Sequence, residues 1–312
     1  MLNSILWSKI RTFMPPKISA WMLRTEILNQ NFQKVPPVLI YQFGKVGSST
    51  LRVSLRRSPL KRPVYQVHRL SEEGVNNYRE KYETAPHSIH LADNLAISET
   101  LRKTLLETNE AMPKLSVITL TRDPVAAMLS TFFQALDNRR GHEFRNADGT
   151  PQTDRIISVI HRKFKEFDES TNRICTWFDR ELKTTFGIDV FEHPFDPEQG
   201  YQVIQTDQVD LLLLRLEDLN QVGEGVVSEF LGLPSPLKLK NRNQRDRQKI
   251  ADLYSYVKAN LDLPRPVCRK IYESRYATHF YSPAERKAFI NTWAVERRVK
   301  NEQQILKESV EV

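Results

Sequence analysis

The chain has 312 residues, of which 40% are hydrophobic and 27% charged, a composition that is typical of folded globular proteins and excludes a low-complexity chain. Its net charge of +8 predicts an anionic partner, and nucleic acid, a nucleotide, a polyanionic glycan or an anionic membrane would all satisfy it. The only two cysteines, Cys175 and Cys268, lie far apart without metal-ligand spacing. They exclude a disulfide framework and favour a reducing compartment, so we expect a cytoplasmic location.

Residues 1–35 are predicted to form a helical extension. Apolar residues recur there at helical spacing, with two cations among them: Leu2, Ile5, Leu6, Ile10 and Phe13, with Lys9 and Arg11. The segment lacks the continuous apolar core and cleavage site of a signal peptide, and no run in the chain approaches the ~18 apolar residues of a membrane span. Two alternatives remain open. The helix docks on the domain, which general grounds favour, or it makes peripheral contact with the inner face of a membrane.

Short apolar runs alternate with amphipathic segments along the rest of the chain. The apolar runs predict strands at 37–43, 63–70, 115–122, 188–192 and 209–217. The amphipathic segments predict helices at 48–58, 94–108, 124–137, 153–184 and 222–230. This alternation predicts an α/β domain of three layers, α/β/α, with a mostly parallel central sheet. We expect the domain to span residues 36–295.

A C-terminal helix is predicted over residues 283–312. Ser282 stands at its N-cap, Pro283 at the first helical position and Glu285 at the third, which together form a capping box. The aromatic residues before it are predicted mostly to pack inside a helical region, although aromatic faces also suit sugar rings: Tyr254, Tyr256, Tyr272, Tyr276, Phe280 and Tyr281.

The segment "YQFGKVGSST", residues 41–50, predicts an anion site. It joins an apolar strand to a helix, and the free N–H groups and the dipole at a helix N-terminus attract anions. Gly47 allows close approach of the backbone, residues 48–50 add hydroxyl donors, and Lys45 adds a positive charge. In a nucleotide P-loop, lysine directly precedes the hydroxyl residue that ligates magnesium, whereas Lys45 comes before the glycine. This order argues against ordinary ATP or GTP use, and the alternative is a plain strand-to-helix turn.

A second cation ends the predicted strand 115–122, where "LSVITLTRDP" places Arg122. Asp123 is expected to cap the following helix, with Pro124 at its first position, rather than to bind a metal. Ser130 lies two helical turns further on. Its hydroxyl could bond only a backbone carbonyl, or it could share a second phosphate with the bidentate fork of Arg122.

Together these two elements resemble the sulfotransferases that use 3′-phosphoadenosine 5′-phosphosulfate (PAPS). The family's 5′-phosphosulfate loop is matched by Lys45, Val46, Gly47, Ser48, Ser49 and Thr50, and its 3′-phosphate element by Arg122, Asp123, Pro124 and Ser130. The segments "LLLLRLEDLN" and "FLGLP" resemble the late strand and helix of the family. The bacterial capsular-polysaccharide group looks nearest, on "WFDRELKTTFGIDVFEHPFD" and "YESRYATHFYSPAE". The likeness runs from about residue 36 to 295.

The resemblance implies a P-loop NTPase-like sulfotransferase fold and transfer of a sulfuryl group from PAPS to a hydroxyl of a polysaccharide or glycolipid. It implies no metal, because no γ-phosphate is transferred. Lys45 would stabilise charge on the departing phosphate, and the loop residues would hold the 5′-phosphate. Arg122 and Ser130 would hold the 3′-phosphate.

The acceptor hydroxyl needs a general base. His68 is the first candidate because it ends the strand after the loop's helix, and strand ends of a parallel sheet gather where the ligand binds. Its alternative role is that of a hydrogen-bonded structural histidine. His90, followed by Asp93, is the second candidate. Glu217 lies at another strand end and could orient the base or the acceptor, although a salt bridge, for instance to Arg215, is favoured.

The basic run "KLKNRNQRDRQK", residues 238–249, contributes Arg242 and Arg245 as candidates for closing over the nucleotide or meeting an anionic acceptor. Most charge runs are solvated surface, which is the alternative. Nucleic acid is not expected as a partner, because no recognised binding module is present. Two functions of other classes stay open: a P-loop kinase or NTPase, and a non-catalytic anion- or glycan-binding protein on the same fold.

Overall fold

The computed structural model describes residues 14–108, 112–136, 141–240 and 248–294. The chain divides into two compact units, each assembled from separate stretches. The first unit takes residues 1–121, 177–193 and 201–240, and the second takes 122–176, 194–200 and 241–312. The boundaries given above for a domain at 36–295 with terminal extensions remain a prediction.

A five-stranded sheet forms the centre of the first unit. Its strands are β1 (Val38–Tyr41), β2 (Val64–Val67), β3 (Leu115–Thr121), β4 (Tyr201–Gln205) and β5 (Val209–Arg215). They lie in the order β2-β1-β3-β5-β4, and all neighbours are parallel except β4 and β5. In this register Val38 pairs with Val64 on one side and with Ser116 on the other. The predicted α/β class with a mostly parallel sheet is confirmed.

The helices occupy the connections and the C-terminal region. In chain order they are α1 (Pro16–Leu28), α2 (Ser48–Arg57), α3 (Glu72–Thr84), α4 (Ile89–Leu105), α5 (Pro124–Ala135), α6 (Thr153–Lys165), α7 (Thr184–Phe186), α8 (Leu219–Phe230), α9 (Gln248–Asn260), α10 (Arg265–Tyr272), α11 (Arg275–Phe280) and α12 (Pro283–Trp293). A π-helical turn, Phe178–Lys183, runs into α7, and 3₁₀ turns lie at Gly141–Phe144 and Val190–Glu192.

Helical segments cover both faces of the sheet in the first unit. Because side chains alternate along a strand, Ile40 and Tyr41 point to opposite faces. The Ile40 face packs against α2 and α8 in one core cluster: Val38, Ile40, Leu51, Leu55, Ile118, Leu120, Leu212, Leu214, Leu219 and Val227. On the other face Tyr41 packs edge-to-face with Trp177, and α4 lies beside β2. These are the three predicted layers.

One predicted strand is wrong and one observed strand is not predicted. Residues 188–192 do not form a strand, because the Asp189 carboxylate accepts a hydrogen bond from the Phe191 N–H at 3.0 Å and fixes a 3₁₀ turn. Conversely, the sequence does not predict β4. Among its residues only Ile204 is buried, since an antiparallel edge strand can leave most of its side chains in water.

The predicted helices differ from the observed ones mainly at their ends. The helix expected over 153–184 stops at Lys165, because Asp168 accepts hydrogen bonds from the N–H and hydroxyl of Ser170 and closes a turn. The helix expected from 94 already begins at Ile89, where the Ser88 side chain caps it. Similarly, α3 is not predicted, although the Ser71 hydroxyl caps it in the same way.

The second unit is built on α5, α6 and α9–α12. Four of the aromatic residues predicted to pack are fully buried there: Tyr272, Tyr276, Phe280 and Tyr281. The capping box of Ser282 and Glu285 is present, so the start of the final helix is confirmed. The helix ends at Trp293, because Ala294 is extended and bridges to Leu263. The rest of the predicted helix 283–312 lies outside the described residues.

Within the described ranges, no helix is both long and apolar enough to cross a membrane. The same residues contain no group of three or more histidine, cysteine or acidic side chains that could hold a metal ion.

Candidate anion-binding and base site

The loop between β1 and α2 has an unusual backbone. Gly47 has a φ of 93° and, although not a glycine, Lys45 has a φ of 72°. A non-glycine residue in this left-handed region costs roughly 1–2 kcal/mol, so such residues are uncommon and tend to mark functional loops. A left-handed residue followed by a helical one, as in Gly47–Ser48, turns successive N–H groups toward a common concave side. The loop therefore has the backbone form of an anion nest.

Gly47 also fixes how closely this loop approaches its neighbours. A Cβ atom there would stand 2.4 Å from Cδ1 of Leu216, so a side chain fits only if the Leu216 side chain moves. As the N-cap of α2, Gly47 offers no side-chain cap to the helix. The N–H groups of the first turn have no intrahelical partners, apart from the short bond of Thr50 N–H to the Gly47 carbonyl at 3.1 Å. The N-terminus of α2 is thus open to an anion.

The hydroxyl groups predicted to contact the anion lie on this first turn. Ser48 and Thr50 are buried, and Ser49 is half-buried. The Ser48 oxygen accepts a hydrogen bond from Gln66 Nε2 at 2.7 Å. Because the oxygen already accepts this bond, the Ser48 hydroxyl proton can be donated to a bound oxyanion. Val46, almost wholly buried in the core cluster, anchors the loop to the sheet.

His68 follows β2 and is held by its ring and its main chain. Its Nδ1 lies 2.9 Å from the Gln42 carbonyl oxygen, which can only accept, so Nδ1 carries the proton. Its Nε2 lies 3.5 Å from Gln66 Nε2, the same amide nitrogen that donates to Ser48. The His68 carbonyl accepts from Trp177 Nε1 at 3.0 Å. The neutral ring therefore carries its lone pair on Nε2, within reach of the Gln66 amide, and such a lone pair is what a general base requires.

The surroundings of His68 favour this neutral form. Burial lowers the pKa of His68 below its usual value, partly opposed by the bond to Gln42, and the nearby positive charges of His90, Arg69 and Arg52 lower that pKa further. At neutral pH the ring is thus an uncharged acceptor near two arginines, Arg69 and Arg52, whose positive charges suit a polyanionic ligand.

A buried carboxylate supports the segment after His68. Glu181, in the π-helical turn, accepts hydrogen bonds at one oxygen from the Tyr41 hydroxyl (2.6 Å) and from the N–H groups of Leu70 (2.9 Å) and Ser71 (3.0 Å). Burial and the Glu181 charge raise the pKa of Tyr41 well above its usual value, so this phenol stays protonated and donates. Glu181 thereby ties the end of β1 to the start of α3. Its role is structural support for the region that carries His68.

In the second unit, Tyr276 fixes the main chain of Arg122. The Tyr276 hydroxyl accepts from the Arg122 N–H at 3.1 Å and donates to the Arg122 carbonyl at 3.0 Å. A single buried phenol thus satisfies both backbone polar groups of the residue. The partly exposed Arg122 side chain extends from a rigid backbone, which is the arrangement that a phosphate-binding arginine needs.

Asp123 caps α5 as predicted. Its Oδ1 accepts from the Val125 N–H at 3.0 Å and from the Tyr272 hydroxyl at 2.6 Å, and its Oδ2 accepts from Trp293 Nε1 at 3.3 Å. Burial raises the pKa of Asp123, although these three hydrogen bonds oppose the rise. These three hydrogen bonds are structural, and they occupy both oxygens.

Ser130 lies on α5, seven positions into the helix that Asp123 caps. It is partly exposed. In this turn Thr131 donates its hydroxyl to the Ala127 carbonyl at 2.9 Å, the backbone bond that was the structural alternative for Ser130. Arg122 lies two residues before the first residue of α5, the helix that carries Ser130. Both residues belong to the second unit.

The remaining candidates are less well placed or outside the described residues. His90 is exposed at the start of α4, where its ring approaches Asn94 Nδ2 at 3.2 Å. Glu217 is exposed in the turn after β5, and the Arg215 next to it forms an ion pair with Asp218. Arg242 and Arg245 lie outside the described residues.

The structure thus brings the loop at 45–50 together with His68, through Gln42 and Gln66, in the first unit. The sequence predicts the loop and His68 but not these two glutamines, Glu181 or Tyr276. Gln66 has a weak sequence signal, since it is a polar residue inside an apolar strand. For the others only tertiary structure reveals the contact.

Strand, left-handed loop and helix N-terminus together form a candidate anion-binding site on a mostly parallel α/β sheet. Residues 151–282 match the model of a family described as "Putative capsular polysaccharide synthesis protein". That match covers less than half of the chain and contains none of Lys45, His68, Arg122 and Ser130. The curated proteins compared with the chain give no match. Among solved structures, the crystal structure of mouse sulfotransferase SULT7A1 complexed with PAP is similar at 15% identity and a TM-score of 0.31, over 93% of this chain and 95% of that one.

Proposed function

We propose that the protein is a sulfotransferase that moves a sulfuryl group from PAPS to a hydroxyl of a polysaccharide or glycolipid. The β1–α2 loop carries the proposal. It combines an uncapped helix N-terminus, a left-handed Gly47 and a lysine two positions before that glycine. In this proposal, the N–H groups of the first turn and the hydroxyls of Ser48, Ser49 and Thr50 hold the 5′-phosphate.

The order of residues separates this site from an ATP-dependent kinase or NTPase. Such enzymes place lysine beside the hydroxyl residue that ligates magnesium and use an acidic residue at a neighbouring strand end. Here the acidic residue after β3 is Asp123, whose two oxygens accept from Val125, Tyr272 and Trp293. A carboxylate whose two oxygens already accept these hydrogen bonds is poorly suited to bind a metal, which favours a metal-independent donor.

Arg122 and Ser130 are proposed to bind the 3′-phosphate that distinguishes PAPS from ATP. The backbone of Arg122 is held by Tyr276, so the guanidinium can be presented with little loss of main-chain entropy. A charge-assisted hydrogen bond from arginine to phosphate contributes about 1.5–3 kcal/mol. This magnitude makes Arg122 the most informative residue to remove.

The transfer itself is proposed to use His68 and Lys45. The acceptor oxygen attacks sulfur while its proton passes to His68 Nε2, and the sulfur bond to the bridging phosphate oxygen breaks. Lys45 lies in the loop that would hold this phosphate, so its charge would stabilise the negative charge that develops there. The family match at 151–282 supports a carbohydrate acceptor.

Calorimetric titration with adenosine 3′,5′-bisphosphate tests the donor site. We expect metal-independent binding, and Arg122→Ala should weaken it by roughly 10- to 150-fold, the equivalent of 1.5–3 kcal/mol. Adenosine 5′-monophosphate, which lacks the 3′-phosphate, should bind the wild type and Arg122→Ala equally. Arg162→Ala, which removes an exposed arginine on α6, is the matched control.

Tighter, magnesium-dependent binding of ATP would replace the proposal with the kinase alternative. A non-catalytic anion- or glycan-binding protein would bind the bisphosphate but transfer nothing. Incubation with ³⁵S-labelled PAPS and a panel of bacterial polysaccharides and glycolipids distinguishes that case, because Lys45→Ala and His68→Gln should abolish labelling by an active enzyme.

A further inference from the structure

The inner face of α1 is buried against the rest of the first unit. Its buried residues are Ser19, Ala20, Leu23 and Ile27. Ser19 donates its hydroxyl to Asp93 Oδ1 on α4 at 2.6 Å, and Arg24 pairs with Glu99 on the same helix at 3.0 Å. The helix Pro16–Leu28 is therefore docked on the first unit, whereas residues 2–13, on which the two N-terminal alternatives rest, lie outside the described residues.

The outer face of α1 is apolar and exposed. Ile18, Trp21 and Leu28 are 48%, 63% and 60% exposed, respectively. Their spacing of three and seven residues places them on one side of the helix, opposite the buried Leu23 and Ile27. Single exposed apolar residues are ordinary, but three large ones in a row on one helix face indicate a contact surface.

The sequence that leads into this face is basic, although Glu26 on α1 itself is exposed. The first 25 residues contain four cations and no acid, and the first acidic residue is Glu26. Lys17, next to Ile18 on α1, is exposed. Two of the four tryptophans of the chain, Trp7 and Trp21, also fall in this segment. Tryptophan and lysine beside an apolar strip are the residues that favour the headgroup region of an anionic bilayer.

We propose that the outer face of α1, formed by Ile18, Trp21 and Leu28, docks on an anionic phospholipid surface. At 13 residues the helix is about 20 Å long, too short for a hydrocarbon core of about 30 Å, so it lies along the surface. A strip of three side chains is also small beside the ~800 Å² per partner of a stable protein interface. The proposal is independent of the sulfotransferase function.

Vesicle co-sedimentation tests the docking surface. We expect the wild-type chain to bind vesicles containing about one-third phosphatidylglycerol at least tenfold better than vesicles of phosphatidylcholine alone, and to lose this preference at high salt. The double variant Ile18→Ser/Trp21→Ser should bind the anionic vesicles at least tenfold more weakly. Tyr256→Ser removes an exposed aromatic of 54% exposure from α9 and is the control that should change nothing.

Fluorescence gives a second readout of the same contact. In a Trp7→Phe background, brominated lipid should quench the part of the emission that Trp21→Phe removes, since Trp177 and Trp293 are buried. Equal sedimentation of the wild type and the double variant, or no quenching of Trp21, overturns the proposal. A concentration-dependent dimer that the double variant converts to a monomer, without vesicle binding, would assign the face to a second copy instead.

Discussion

Replacing Gly47 with alanine tests the backbone form of the loop. The added Cβ atom would meet Leu216 Cδ1 at 2.4 Å, and the residue would have to keep a φ of 93°. The left-handed conformation costs an alanine roughly 1–2 kcal/mol. Leu216 is half-buried and flexible, so turning it away adds about 0.5–1.5 kcal/mol. The total penalty is about 1.5–3.5 kcal/mol.

This penalty must appear in one of two measurable quantities. If the variant keeps the loop in place, urea denaturation should show the full loss of about 1.5–3.5 kcal/mol in free energy of unfolding. If the loop relaxes in the free protein, the same energy should appear as a weaker Kd for adenosine 3′,5′-bisphosphate, by roughly 10- to 400-fold. The sum of the two losses is therefore the predicted quantity, whichever way it divides.

Two further variants separate the causes. Gly44→Ala lies in the same loop, where an added Cβ meets nothing within 4 Å and φ is not positive, so it should leave the free energy of unfolding within about 0.5 kcal/mol of wild type. In a Leu216→Ala background, Gly47→Ala should still cost the 1–2 kcal/mol of the left-handed conformation. Equal effects of Gly44→Ala and Gly47→Ala would refute the reasoning.

Three other predictions concern the residues that hold the site. Tyr276→Phe removes the hydroxyl bonded to both main-chain polar groups of Arg122, so urea denaturation should show a loss of about 1–3 kcal/mol and calorimetry a several-fold weaker Kd for the bisphosphate. Burial lowers the pKa of His68, so the unfolded chain takes up this proton first as pH falls. Denaturation of the wild type should therefore show stability falling below about pH 6.5, by an amount that His68→Gln removes. Glu181→Ala removes the carboxylate acceptor of the Leu70 and Ser71 N–H groups and leaves the Tyr41 hydroxyl with Thr185 alone, so it should cost about 3 kcal/mol or more in urea denaturation, with Glu181→Gln losing less.

Each of these has a control and a contradicting outcome. Tyr272→Phe breaks a bond to Asp123, so it should lower stability with little change in Kd; parallel losses of Kd in both tyrosine variants would remove the specific role of Tyr276. The exposed His87→Gln should follow the wild-type pH dependence, and a His68→Gln curve that also follows it would contradict the assigned shift. Wild-type stability of Glu181→Ala would show that water replaces the carboxylate.

The local parts of the fold and site could be predicted from sequence because local chemistry determines them. The loop helix begins at Ser48 as expected, and Asp123 caps α5, since a cap and its helix are neighbours in sequence. The prediction of a strand at 188–192 is wrong for a related reason. The local hydrogen bond from the Phe191 N–H to the Asp189 carboxylate fixes a 3₁₀ turn in spite of the apolar run. The apolar pattern does not predict β4, because at the edge of the sheet four of its five side chains are partly or fully exposed.

The supporting contacts could not be predicted, because they join residues remote in sequence. The bond between Tyr41 and Glu181 spans 140 positions, and that between His68 and Trp177 spans 109. No periodicity or spacing in one sequence indicates which buried carboxylate will meet which tyrosine. The sequence thus predicts which residues could do chemistry but not which residues hold them in place.

The contacts of Arg122 and Asp123 also constrain when the second unit can form during synthesis. The hydrogen-bond partner of the Arg122 backbone, Tyr276, follows it by 154 residues. The partners of Asp123, Tyr272 and Trp293, follow it by 149 and 170 residues. A nascent chain therefore cannot complete this region until nearly all of the described sequence has left the ribosome. Contacts between residues so far apart in sequence form slowly, so Asp123 is exposed to water or to a chaperone before Tyr272 and Trp293 bond to it.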